Sequence, residues 1–395
     1  MPDSSAPQAA PPLWLLVLVT LSGTMAMHMF VPALPDAARG LGASAGAMQM
    51  AISLYVAGLA VGQLFYGPLS DSLGRRPMLL VGLALYTAAG LAAALAPGLY
   101  LLLGARLLQA LGGCAGLALG RAMVRDTSHP ETAVRQLAML NLMVMVGPGL
   151  APPIGGALAG AWGWRSVFVL LFVVGAATLA FAWRWLPETG RPTGNVGLRR
   201  VLGDYAVLLR SPRFVGLALG GGCATTSVYA FLAAAPFIFT HTLHQSVHAV
   251  GIYAGLLVLG MAAGNAITSR LSRRVPSAVL LRVGSSLSLA SGVGLLVLVL
   301  AGGLSVASTM ALMLLFTCGC GLASPAALAK AVSVDPLRIG AAAGLYGFSQ
   351  MAVGAACTAL AAVGGDPALA AAVVLVVAAV IAQVALTVAL RYEPR

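Results

Sequence analysis

GPLSDSLGRRP, Gly67 to Pro77, is a short charged loop set between two long apolar stretches. Its pattern is G-x-x-x-D-x-x-G-R-R. Gly67 lets two helices approach closely, Gly74 permits a tight turn, and Asp71 with Arg75 and Arg76 can pair at a helix end. A bare Arg-Arg would be an ordinary basic loop, whereas the full spacing reads as a charge-paired latch. The loop also has a counterpart. LSDSLGRRP (Leu69 to Pro77) matches ITSRLSRRVP (Ile267 to Pro276) at an offset of 198 residues, and LALGRAMVRD (Leu117 to Asp126) echoes AALAKAVSVD (Ala326 to Asp335). A membrane chain that repeats its loops in this way is built from two similar halves.

The sequence around these loops is apolar. Of 395 residues, 60% are hydrophobic and 8% charged, against about 25% charged in soluble domains. Twelve apolar runs fall near 13–36, 46–69, 78–97, 99–122, 137–160, 166–186, 214–238, 249–269, 279–300, 304–329, 340–363 and 368–390. Each is long enough to cross a hydrocarbon core of about 30 Å, and the 48 glycines suit close helix packing in lipid. The first run is too long for a signal-peptide core and is expected to remain in the mature chain. The expected fold is an all-α membrane protein with twelve transmembrane helices in two pseudo-symmetric six-helix halves. The halves cover residues 1–186 and 213–395, and the Pro-, Gly- and Arg-rich segment 187–212 is their linker.

Arginine placement sets the expected orientation. Arg75, Arg76, Arg121, Arg125 and Arg135, the linker arginines, and Arg270, Arg273, Arg274 and Arg338 share one side, leaving Arg39 and Arg165 on the other. The basic side is cytoplasmic, so both termini are expected inside a bacterial inner membrane. The net charge of +12 then reports orientation, and no nucleic-acid partner is expected. The five cysteines (Cys114, Cys223, Cys318, Cys320, Cys357) lie in apolar runs and read as small fillers. His241, His244 and His248 have spacings that could hold a metal on a helix, but they precede the eighth run in a loop and read as surface histidines. No metal or cofactor is expected.

Two further motifs carry chemistry. In ARLLQALGGCAG (Ala105 to Gly116), Arg106 lies eight residues inside the fourth run, about 12 Å deep at about 1.5 Å per residue. An arginine there is costly unless paired or hydrated, which favours a cavity-facing role over snorkelling. In VGPGLAPPIGG (Val146 to Gly156), Gly147, Pro148, Gly149, Pro152, Pro153, Gly155 and Gly156 should bend the fifth helix and let its neighbours pack closely.

The three motifs together resemble those of the major facilitator superfamily over all twelve runs. PALPD in the first run, GRAMVRD ending the fourth and AAAPFIF (Ala233 to Phe239) in the seventh are similar to the bicyclomycin and chloramphenicol-resistance branch of its drug:proton antiporters. The resemblance implies a multidrug or small-molecule efflux transporter, not an enzyme, that exchanges substrate for protons by alternating access. It implies that Asp71 and Arg75 engage the eleventh helix and Asp126, stabilising the outward-open state. Ser72 departs from the arginine frequent at its position. The glycine-proline stretch of the fifth run matches the motif of exporting antiporters.

The branch usually has an aspartate where this chain has His28, in TMAMHMFVPALPDAA (Thr24 to Ala38). His28 lies eight residues before the outer end of its run, level with Arg106. An aspartate would pair with Arg106 and keep its charge. A histidine, with an ordinary pKa of about 6.5, could load a proton outside and lose it inside, or could be a neutral substrate or packing contact. Asp36 is the other proton-coupling candidate, or an interfacial acid near Arg39. Further cavity candidates are Met25, Met29, Gln109, Asn141, Tyr229, Tyr253, Tyr346 and Gln350. The expected partners are a small-molecule substrate, protons and the bilayer, with the chain working as a monomer. Neutral or weakly acidic substrates are expected before cations. The alternatives are an uncoupled or differently coupled facilitator of a sugar or metabolite, and a transport-dead membrane sensor.

Overall fold

The computed structural model describes residues 11–127, 130–190, 192, 194, 197–272 and 274–392, with all side chains but those of 125, 130–135, 137–139, 141–145, 198 and 200. Among the described residues the chain is helical throughout, with no strand. Its helices are α1 (Leu13–Met29), α2 (Leu34–Gly40), α3 (Ala45–Leu73), α4 (Arg75–Ala94), α5 (Leu99–Thr127), α6 (Pro130–Trp162), α7 (Arg165–Trp185), α8 (Leu198–Leu209), α9 (Pro212–Thr226), α10 (Val228–Phe237), α11 (Val247–Leu271), α12 (Ser277–Leu300), α13 (Val306–Val332), α14 (Ile339–Ala361) and α15 (Pro367–Arg391). Among the described residues, ten stretches are long and apolar enough to cross a membrane, taking α1 with α2 and α9 with α10 as single stretches. The other two expected runs correspond to α6 and α14, helices of 33 and 23 residues.

Two expected runs are not continuous. The first breaks after Met29 into a 3₁₀ turn, Val31–Ala33, before α2. Pro32 supplies no backbone N–H to an α-helix at that point. The seventh breaks at Ser227, between α9 and α10, and finishes in a π-turn at Ile238–Thr242. The expected linker is also divided. Glu188 belongs with α4, as described below, whereas residues 198–209 form α8, whose Leu208 is buried with Phe214 and Leu217.

Small residues set the helix spacing. A methyl group at Gly23 would lie 2.7 Å from the Gly113 carbonyl oxygen, and one at Gly284 would lie 2.6 Å from that of Gly319. The α1–α5 and α12–α13 pairs therefore pack backbone to backbone, as expected where lipid offers no hydrophobic force between helices. Phe30, Tyr55, Tyr86 and Phe168 fill one apolar cluster. Phe214, Leu281 and Tyr346 fill a second, and Phe231, Phe239, Phe316 and Leu375 a third.

Candidate functional site

Arg106 sits on α5 with no exposed surface. Its Nη1 donates to the Ala26 carbonyl at 2.9 Å and to Gln109 Oε1 at 2.8 Å. The guanidinium carbon lies 4.1 Å from the Tyr55 ring centre, with Phe30 and Phe168 at 5.6 and 5.7 Å. The cation is thus held by carbonyl, amide and ring faces, an arrangement that strengthens when water is excluded. Arg106 reaches back into the packing of its own bundle, because the α1 carbonyl and the Tyr55 ring offer it partners there. Gln109, Met29 and Tyr346 are likewise buried, at 0%, 0% and 2% exposure, rather than set on an open surface.

Arg106 belongs to a wider set of bonds to α1. Tyr86 donates to the Ser22 carbonyl at 3.0 Å and Tyr55 to that of Gly23 at 2.7 Å. Side chains from α3, α4 and α5 therefore hold one short stretch of α1 backbone. Two residues beyond Ala26, His28 places Nδ1 3.0 Å from the Thr24 carbonyl. Its ring meets Tyr229 of α10 edge-on, with centres 6.4 Å apart. His28 is 8% exposed, and Met25 and Tyr229 are partly exposed. On α14, the Gln350 side-chain amide donates to Thr225 Oγ1 at 2.7 Å, and the Gln350 backbone carbonyl accepts from Thr226 Oγ1 at 2.7 Å. Tyr253 turns elsewhere, donating to Gln245 Oε1 at 3.1 Å beside Phe239. Asp36 pairs with Arg39 next to it on α2. The Asn141 side chain lies outside the described residues.

The quoted loop forms a charge cluster. Arg75 Nη1 lies 2.6 Å from Asp71, and its Nε lies 3.0 Å from Asp126 on α5. Gly74 has φ 102°, a backbone conformation that favours glycine. Gly67 has open space around it. The sequence reading missed Glu188. This carboxylate follows α7 and accepts the backbone N–H groups of Arg75 (2.9 Å) and Arg76 (3.2 Å), capping α4 from 113 residues away. Arg76 itself donates to the Trp183 carbonyl at 2.9 Å. A second missed cluster joins α8 to the start of α14, with Arg338 bonding Asp204 at 2.9 Å and Asp335 at 2.5 Å. The bond from Arg338 holds the Asp335 carboxyl below the usual carboxylate range.

The glycines and prolines of α6 serve two faces. Gly147 and Gly155 abut Thr24 and the Met29 carbonyl of α1. On the opposite face, a methyl at Gly156 would lie 2.9 Å from the Val247 carbonyl oxygen. Those at Gly251 and Gly255 of α11 would lie 2.5 Å and 2.7 Å from the Pro152 and Gly149 carbonyls. Pro148, Pro152 and Pro153 remain inside the helix. No cluster of metal-ligating side chains occurs among the described residues.

A sequence profile described as Major Facilitator Superfamily matches residues 16–359. "Multidrug resistance protein D" of Escherichia coli (strain K12) is 37% identical over 203 residues, 51% of this chain and 51% of that protein. "Chloramphenicol resistance protein" of Pseudomonas aeruginosa is 39% identical over 172 residues, 43% of this chain and 41% of that protein. The chain thus spans about half the length of these two relatives in its matches. "Uncharacterized MFS-type transporter YdgK" of Bacillus subtilis (strain 168) is 29% identical over 379 residues, 94% and 93% of the two chains. Among solved structures, a peptide transporter (POT) in complex with sulfate superposes with a TM-score of 0.78 at 16% identity, covering 98% of this chain and 97% of that one. That likeness is one of fold.

Proposed function

Because this chain belongs to the Major Facilitator Superfamily, we propose that it exports small, partly apolar molecules in exchange for protons by alternating access. It is a transporter rather than an enzyme. Relatives named for multidrug and chloramphenicol resistance support export over uptake. The reading places the protein in a bacterial inner membrane with both termini cytoplasmic, acting as a monomer on a small-molecule substrate and protons. Residues 1–186 and 213–395 are the two moving halves. Asp71, Arg75 and Asp126 latch the cytoplasmic side, and the α6–α11 glycine seam serves the outer side.

The observation that carries the coupling reading is His28. It lies on α1 beside the carbonyl that Arg106 holds, faces Tyr229 of the other half, and keeps some exposed surface. The ten acidic residues all fall in the terminal, loop, linker and helix-end segments. His28 is therefore the side chain in the middle of the bundle that can take up and release a proton. Arg106 fixes a positive charge beside it, which disfavours cationic substrates.

The test is transport into inverted membrane vesicles, with and without an imposed proton gradient, using neutral, anionic and permanently cationic compounds. Gradient-driven transport of neutral or weakly acidic compounds, lost in His28→Ala, is expected. Transport that ignores the gradient, or preferential transport of a permanent dication at an unchanged rate in His28→Ala, refutes the reading.

A further inference from the structure

A cavity of about 250 Å³ lies on the face opposite the basic loops, where the start of α3 meets the end of α14. A methyl group at Gly46 would collide with the Ala362 carbonyl, so the two helix ends touch at this cavity. The exposed Gly364 and Gly365 also line it and connect it to the surface. It is smaller than the roughly 300–1,000 Å³ of drug-sized sites. No charged side chain lines it, and His28 is not part of it.

Three sets of polar groups in this lining have no hydrogen-bond partner among the described residues. Ala45 and Gly46 open α3, and their N–H groups have no carbonyl behind them in the helix. Ser44 does not relieve them, since its Oγ accepts from the Ala47 N–H and its carbonyl from that of Met48. At the end of α14, the Ala362 N–H bonds back to Thr358 and Ala359, and the Val363 N–H to Leu360. The Ala361 and Ala362 carbonyls stay open. The third group is the Gln49 amide, 1% exposed, whose Oε1 is buried without a donor. An unmatched amide in that position costs stability, and a bare helix start gives no reason for it. Asp366 does not serve either group of open ends, because its carboxylate caps α15 through the Ala368 and Leu369 N–H groups at 2.8 and 3.2 Å.

The two helix ends are of opposite sign. The start of α3, a helix of 29 residues, is a positive end with open donors, and the end of α14, of 23 residues, is a negative end with open acceptors. A lone anion would match only the first, and a lone cation only the second. We propose that the cavity binds a small zwitterionic amino acid. Its carboxylate accepts from the Ala45 and Gly46 N–H groups, and its ammonium donates to the Ala361 and Ala362 carbonyls and to Gln49 Oε1. The acceptors need hydrogens on the nitrogen, so a quaternary betaine does not fit. Walls of glycine and alanine leave room for a short side chain only. In the division proposed above α3 and α14 belong to different halves, and the bound amino acid ties them together on this face. The site lies apart from the export reading and does not rest on it.

The test measures binding of tritiated L-alanine to the full chain in phosphatidylcholine nanodiscs by scintillation proximity at neutral pH. Saturable binding is expected, with unlabelled L-alanine and glycine competing. Acetate, ethylammonium, glycine betaine and glycerol each lack a charge or the ammonium hydrogens. They should compete at least about tenfold more weakly, the scale of a lost charge-assisted hydrogen bond. Gln49→Leu keeps the bulk of the side chain and removes the unmatched amide. It should melt no lower than wild type, yet bind alanine at least about tenfold more weakly. The competitor series uses wild type alone, so it decides even where Gln49→Leu melts lower. No saturable alanine binding, equal competition by any of the four other compounds, or unchanged alanine affinity in Gln49→Leu overturns the proposal. None of these results bears on gradient-driven export in vesicles, which stands or falls by its own test.

Discussion

Adjacent glycines on α6 face different neighbours, so adding one methyl group at each should have separable effects. At Gly156 the new carbon would meet the Val247 carbonyl oxygen at 2.9 Å and Gly251 Cα at 3.4 Å, both on α11. An ordinary carbon–oxygen contact is about 3.3 Å or longer, so α6 and α11 must separate by roughly 0.4 Å. Overpacking of this kind costs about 1–3 kcal/mol, and it is felt only in conformations that press the outer ends of α6 and α11 together. Gly156→Ala should therefore shift the equilibrium towards outward opening by about 5- to 150-fold, with little loss of folding stability. Gly155→Ala places its methyl against the Met29 carbonyl carbon at 2.7 Å, on α1 of the same bundle. No conformational change relieves that contact, so it should lower thermal stability by a similar or larger energy. The populations can be read as electron–electron distances between spin labels at Trp162→Cys and Val363→Cys, both on exposed outer positions, in a background without the native cysteines. Intrinsic-fluorescence melting reads stability. If both alanines lower stability alike and neither changes the label distances, the assignment of the two faces is wrong.

Three further outcomes are expected. Glu188→Ala removes an acceptor from two backbone N–H groups of α4 and should cost about 1–2 kcal/mol of stability by fluorescence melting, whereas Glu188→Asp should recover part of it. Asp335 is held below the ordinary carboxylate range by Arg338. A depressed folded-state pKa contributes stability that is present above the unfolded value of about 3.9 and lost as pH falls through the folded one. A melting profile should accordingly show extra acid loss in wild type that is absent in Asp335→Asn. Arg106→Lys keeps the charge but loses the planar contact with Tyr55 and the paired bonds to Ala26 and Gln109. It should lower the melting temperature while Arg210→Lys, at an exposed position, leaves it nearly unchanged.

The fold was legible because lipid imposes simple demands. Runs of about 20 apolar residues, basic loops on one side and a repeated loop motif sufficed to count the helices. The breaks after Met29 and at Ser227 were harder to read, since Pro32 marks the first while TTSVY (Thr225 to Tyr229) carries no proline or glycine signal. His28 and Arg106 could be placed at one level from their depth in antiparallel runs. Their relation could not, because it depends on side-chain direction. Arg106 points to the Ala26 carbonyl and the Tyr55 ring, and depth along a helix carries no information about that choice. Glu188 was invisible for a different reason. Its partners are backbone N–H groups distant in sequence, and PETGR looks like the start of a linker until α7 returns the chain to α4.

Glu188 also bears on where the chain can be divided. Residues up to Gly194 bond to the facing ends of α3 and α4, Glu188 to the Arg75 N–H and the Gly194 N–H to the Ser72 carbonyl, and from α8 onward Asp204 is tied to Arg338 beside α14. A cut between Gly194 and Leu198 leaves each of these bonds within its own fragment. Two polypeptides made separately in one cell, ending and beginning there, should find each other and transport. A cut at Leu186 would instead strand the cap of α4 on the wrong piece. The place where a gene could be split without losing its product is therefore set by one carboxylate.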